Sequence, residues 1–148
     1  MIILLVEDNE GDIALTQIAF GDSGIDGELV VARDGAEAVD RLYGRGEFAD
    51  AELPDLMLVD LNMPRMDGKE LLDVVKGDED LKTIPVIMLT SSQAPAEIRD
   101  CYRRHANSYV LKPWGVEEYA DILRQLERYW TGIVVLPKDD EEPERYRA

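Results

Sequence analysis

The chain has 148 residues, 45% hydrophobic and 32% charged, a length and balance that suit one globular domain with its own core. Its 32 acidic residues outnumber 16 lysines and arginines, leaving a net charge of −16. That argues against nucleic-acid binding, where protein cations must displace phosphate counterions, and against anionic membrane surfaces.

The chain opens on MIILLVEDNE, an apolar run with no basic stretch before it and acids directly after, so neither a signal peptide nor a membrane anchor is expected. No apolar run nears the roughly 18 residues of a transmembrane helix. The single cysteine, Cys101, has no partner for an internal disulfide, which fits a cytoplasmic setting.

Five short apolar runs read as strands: 2–6, 29–32, 56–59, 86–89 and 108–111. The first, third and fourth are continuously apolar, as strands covered on both faces of a parallel sheet must be. Between them the spacing is helical. Ala36, Val39, Leu42 and Tyr43 share one face of the second helix, and Ile98, Cys101, Tyr102 and His105 one face of the fourth. Val116, Tyr119, Leu123, Leu126 and Trp130 line the fifth. Asp67 with Glu70 forms a capping-box pattern ahead of the third helix, and Pro95 can open the fourth.

This alternation predicts an α/β fold: a (βα)5, doubly wound, five-stranded parallel sheet with right-handed crossovers and helices on both faces. The domain should span 1–130, with a long link over 44–54. Residues 131–148 form an extension that is apolar to Pro137 and then acidic, its final dozen residues expected to be disordered.

Ligands of open α/β sheets sit at the carboxyl ends of the strands. There this chain places Glu7-Asp8, Asp60, Thr90-Ser91 and Lys112-Pro113. Three carboxylates against one ammonium leave a local charge of −2, which a hard divalent cation such as Mg2+ would offset. A hydroxyl and a lysine beside such a cation suit a phosphoryl group, and a carboxylate can attack phosphorus to give an acyl phosphate.

The segments VEDNEGD (6–12), LVDLNMPRMDG (58–68), IMLTSS (87–92) and YVLKPW (109–114) resemble the receiver domain of two-component response regulators, a flavodoxin-like (CheY-like) fold. The resemblance implies that Asp60 accepts the phosphoryl group from a sensor histidine kinase. It implies that Asp8 binds Mg2+ directly, Glu7 mostly through water, and Asn62 through its backbone carbonyl. Thr90 corresponds to the switch hydroxyl, Lys112 to the lysine that pairs with the phosphoryl group, and Tyr109 to the switch aromatic. Asn62 and Ser92 stand where dephosphorylation is tuned. The Lys112–Pro113 peptide is expected to be cis, as the family's usually is.

The 52 residues from Asp8 to Asp60, the ILLVEDNEGD opening and the YWTGIVVLP ending resemble single-domain regulators associated with phytochrome kinases. The addition after Trp130 is short, so no DNA-binding output domain is expected. Its Trp130, Ile133, Val134, Val135 and Leu136 either pack back on the domain or form a homodimer surface with the last helix. Output would then pass by protein contact, to an unknown partner, across the fourth helix, fifth strand and fifth helix.

Self-phosphorylation from phosphohistidine and slow self-dephosphorylation are the only chemistry expected; the chain is not otherwise an enzyme. Two alternatives compete. A haloacid-dehalogenase-type phosphatase also uses a strand-end aspartate, but it wants a second acid where Asn62 stands. An unphosphorylated interaction module would leave the acidic positions without purpose. Asp60-Leu61-Asn62 superficially matches a calcium loop, yet Pro64 and Arg65 occupy positions that need a ligand and a turn glycine. His105 and Cys101 read as structural, and Trp114 as a rim or partner contact. Residues 1–137 carry −14 of the net charge, so the acidity is not a tail effect. With 17 Asp and only five Lys, it suggests adaptation to a salty cytosol.

Overall fold

The computed structural model describes residues 1–137. Five strands run in chain order: β1 (Ile2–Val6), β2 (Glu28–Ala32), β3 (Leu56–Val59), β4 (Val86–Thr90) and β5 (Ser108–Leu111). They alternate with α1 (Glu10–Ser23), α2 (Gly35–Leu42), α3 (Gly68–Gly77), α4 (Pro95–Arg103) and α5 (Val116–Gly132). All strand pairs are parallel, in the order β2-β1-β3-β4-β5. The expected doubly wound α/β sheet is therefore present.

Alternation along the strands splits the core in two. Leu4, Val6, Met57, Val59 and Met88 face one way and pack with Val39, Leu71, Leu72, Val75 and Cys101 of α2, α3 and α4. Ile3, Leu5, Leu58, Ile87 and Leu89 face the other way, onto Ala19 of α1 and Tyr119, Ala120 and Leu123 of α5. Each fully buried leucine or isoleucine contributes about 1.5–3 kcal/mol, so the sheet is fixed from both sides and its strand ends form a rigid edge.

Helix starts follow the capping chemistry of the sequence. Asn9, Asp34 and Asp67 each accept the N–H three residues on, at 2.9, 2.8 and 2.9 Å. Pro95 lies in the first turn of α4.

Several expectations change. The buried face of α2 is Gly35, Ala38, Val39 and Leu42; Tyr43 is the exposed C-cap, because the helix ends at Leu42. His105 does not lie on an apolar helix face. α4 stops at Arg103, and His105 turns out to solvent with φ 72°, reversing the chain so that Ala106 enters the core instead. The link 44–54 holds one 3-10 turn, Gly46–Phe48, and the Arg41 guanidinium stacks 4.6 Å from the Phe48 ring.

α5 continues to Gly132, past the expected boundary at 130. Trp130 packs against the α1/α5 side of the core, and the Val134 N–H donates to the Tyr129 carbonyl at 3.0 Å. Ile133 and Val135 remain exposed. The extension thus folds back in part and leaves apolar side chains outward. The acidic tail, 138–148, and its expected disorder lie outside the described residues.

Candidate functional site

Strand register sets the site. Val6 pairs with both Ala32 and Val59, and Val59 pairs with Met88. The residues one step further, Glu7 and Asp60, therefore emerge side by side at the carboxyl edge, at the point where the strand order changes direction. The Asp60 N–H continues the ladder to the Val6 carbonyl at 3.0 Å, and the Glu7 N–H to Ala32 at 3.0 Å.

Carboxylate oxygens of Glu7, Asp8 and Asp60 lie within 4.8 Å of one another. Glu7 and Asp60 are buried, whereas Asp8 faces solvent. Hard oxygen donors so spaced, with one side open, fit a divalent cation that keeps part of its water shell.

Lys112, just past β5, supplies the cation already in place. Its Nζ lies 2.6 Å from Glu7 Oε2, 2.9 Å from Asp12 Oδ2 and 3.6 Å from Asp60 Oδ1. Burial works against its charge, but the hydrogen bonds to Glu7 and Asp12, together with the charges of Asp60 and Glu7, outweigh burial and hold Lys112 above the ordinary lysine range. Asp60 moves the other way from a normal aspartate: burial, reinforced by the Glu7 charge and only partly offset by Lys112, raises it to about 6. The site thus carries excess negative charge that a metal would relieve.

The main chain of Asp60 is closely packed. A Cβ on Gly68 would fall inside contact distance of the Asp60 carbonyl oxygen, so α3 must begin with glycine. The Gly68 N–H donates to Leu61 at 2.9 Å. The intervening loop is tied to α2: Arg65, at φ 63°, makes a two-pronged bond to Asp34, with Nε–Oδ2 at 2.7 Å and Nη2–Oδ1 at 2.9 Å.

The remaining anticipated residues occupy the rim. Thr90 ends β4 fully buried; its Oγ1 accepts the Ser92 N–H at 3.3 Å, and its carbonyl accepts the Lys112 N–H at 2.8 Å. The Tyr109 hydroxyl donates to the Ser92 carbonyl at 2.8 Å, and the Ser92 hydroxyl bonds Glu97. Asn62 is exposed in the loop after β3. Trp114 is 92% exposed, so it covers nothing within the domain. The expected cis Lys112–Pro113 bond is not found: every described peptide is trans, and Lys112 reaches the carboxylates with that ordinary geometry.

Two participants escaped the sequence reading. Asp12 binds Lys112 directly, and Tyr119 meets Thr16 at 3.0 Å beneath it. The only available signal was the Asn9-to-Asp12 spacing, which marks a helix cap and says nothing about a lysine 100 residues away.

A parallel sheet with clustered acids, a buried hydroxyl and a lysine at its carboxyl edge defines a phosphoryl-type α/β site, and the family match agrees. The chain belongs to the response regulator receiver domain family, matched over residues 3–136. It is 38% identical over 136 residues to response regulator Rcp1 of Synechocystis sp., covering 92% of each chain. The Mn(2+)-bound crystal form of Rcp1 superposes with a TM-score of 0.83, covering 93% of this chain and 99% of that one. The phosphorylated cyanobacterial phytochrome response regulator RcpA is 41% identical, with a TM-score of 0.86 and coverage of 93% and 98%. RPA3017, a response regulator in red light signaling of R. palustris, is 32% identical with a TM-score of 0.87 and coverage of 93% and 98%. The chain is therefore a two-component receiver, and the phosphatase alternative is not favoured.

Proposed function

We propose that this receiver takes a phosphoryl group onto Asp60 from the phosphohistidine of a sensor kinase. The observation that carries the reading is the convergence of Glu7, Asp8 and Asp60 within 4.8 Å, beside a lysine already bonded into the cluster. An Asp60 carboxylate oxygen attacks phosphorus, the P–N bond breaks, and its electron pair leaves with the imidazole, giving an acyl phosphate. Glu7, Asp8, Asp60 and the Asn62 backbone carbonyl would hold Mg2+, Asp8 directly and Glu7 mostly through water. The bound cation supplies charge neutralisation between donor oxygens and the attacking carboxylate. Lys112 stabilises the phosphoryl oxygens from the opposite side.

Thr90 and Tyr109 form the switch. The new charge draws the Thr90 hydroxyl from its Ser92 contact and repositions Tyr109, whose hydroxyl now holds the Ser92 carbonyl. Asn62 and Ser92 tune hydrolysis, and turnover is limited to slow self-dephosphorylation.

RcpA, described as a phytochrome response regulator, supports a phytochrome-type kinase as the donor. The receiver would work in the cytoplasm; no helix among the described residues is long and apolar enough to cross a membrane. Output passes by protein contact over α4, β5 and α5, where Tyr102, Leu111 and Tyr129 are exposed. The outward Ile133 and Val135, just past the end of α5, serve a homodimer surface. The diffuse acidity reflects a high-salt host.

The direct test is incubation with acetyl phosphate and Mg2+. Labelling of the native chain and none of Asp60→Asn is expected; equal labelling of both at one site refutes the assignment.

A further inference from the structure

We propose that Asp12 is a positioning residue for Lys112, holding its ammonium away from Asp60 before phosphorylation and thereby setting how readily the site accepts a phosphoryl group. The inference rests on Asp60 being the acceptor. Lys112 Nζ stands 3.6 Å from Asp60 but 2.6 Å from Glu7 and 2.9 Å from Asp12, so its close partners lie on the β1–α1 side. A phosphoryl group on Asp60 must win the lysine from them.

Local geometry aims Asp12 at this task. Asn9 caps α1 by accepting the Asp12 N–H at 2.9 Å. In a reciprocal capping box, the acid at Asp12's position would fold back to bond the cap residue's own N–H. Here the Asn9 N–H instead donates to Glu7 Oε1 at 3.1 Å, leaving the Asp12 carboxylate to bond Lys112. The turn is braced from behind: Thr16 Oγ1 donates to the Asp12 carbonyl at 2.7 Å, and the Tyr119 hydroxyl donates to Thr16 at 3.0 Å.

Asp12 is also the partner that can let go. Its side chain is 40% exposed against 2% for Glu7, so water can replace the lysine at Asp12, while Glu7 would be left buried without a counter-charge, held only by the Asn9 N–H. Glu7 therefore keeps the lysine in the site, and Asp12 sets the cost of its advance toward Asp60.

The test uses the full chain with saturating Mg2+ and beryllofluoride, a phosphoryl mimic, followed by fluorine NMR. Asp12→Asn, with Asp12→Ser in parallel in case one variant fails to fold, should bind the mimic about three- to tenfold more tightly than the native chain. Glu10→Gln removes a charge from the same helical turn without touching Lys112 and should change nothing. The gain should persist at about 1 M salt, where screening reaches only about 3 Å and direct contacts alone survive. Unchanged or weaker binding in the Asp12 variants overturns the proposal. So does a gain that Glu10→Gln reproduces and salt abolishes, since that is a diffuse field effect. Failure of the native chain to bind, or equal binding by Asp60→Asn, defeats the phosphoacceptor reading instead.

Discussion

Asp60 is held where its charge is costly, and that cost has a sign. Burial first, then the neighbouring Glu7, raises it from the ordinary 3.8 to about 6. The native state thus binds this proton more tightly than the unfolded chain. The contribution of Asp60 to stability therefore falls as pH rises from about 4 to about 6 and stays low above that, by an amount on the order of 3 kcal/mol. In chelator, Asp60→Asn should be more stable than the native chain at pH 7 and lose that advantage by pH 4, as read from urea midpoints. If Mg2+ binds the native acidic cluster as proposed, saturating Mg2+ should narrow the gap at pH 7, because the unfolded chain offers no such site. A native chain more stable than Asp60→Asn at pH 7 in chelator would contradict the electrostatics described above.

The identities around Asp60 were legible because strand-end acids, a hydroxyl and a lysine are chemically telling one by one. Asp12 was not, since a carboxylate in the first turn of a helix is ordinary, and only the folded chain brings it to Lys112. His105 misled because its spacing continued the α4 pattern while its backbone did not.

At the level of elements, the critical joint is the start of α3. Gly68→Ala would drive a Cβ into the Asp60 carbonyl. It should cost at least about 2 kcal/mol, since backbone cannot yield as a side chain can. Gly77, at the other end of the same helix, meets nothing within 4 Å, and Gly77→Ala should be neutral or stabilising by up to about 1 kcal/mol. Thermal unfolding of the two variants side by side checks the contrast; similar losses would mean helix propensity, not the contact, governs. Strand positions were readable because both faces of β1, β3 and β4 are covered, which leaves uninterrupted apolar runs. The ends of α2 and α4 were not, because hydrophobic spacing continues beyond the last helical residue in both.

For the molecule as a whole, charge and the carboxyl-terminal extension make separate demands. A net −16 on one small domain is self-repulsive. If the acidity is an adaptation to salt, raising KCl from about 0.1 to 1 M, which shortens the Debye length from about 10 to 3 Å, should lift the melting temperature by about 5 °C or more. Full stability in dilute buffer would remove that reading. The exposed Ile133 and Val135 bear on assembly. A chain truncated after Tyr129 should run at half the mass of the full chain in light scattering; an unchanged mass would exclude the extension from any dimer. The charge was legible in the composition, but which apolar residues of the extension stay outward was not, since that depends on where side chains finish relative to solvent.

The tight seat of Gly68 against the Asp60 carbonyl, together with the Asp60 N–H bonded to Val6, leaves the Asp60 backbone almost no freedom. A phosphoryl group arriving there cannot be accommodated by retreat of the strand. On the proposed reading, its bulk and charge would be absorbed by neighbours that hold on by single, replaceable bonds: Thr90 to the Ser92 N–H, and Tyr109 to the Ser92 carbonyl. If Asp60 is the acceptor as proposed, its immovable backbone would give the signal its direction, toward the β4–α4 loop and away from α3, before any partner is engaged.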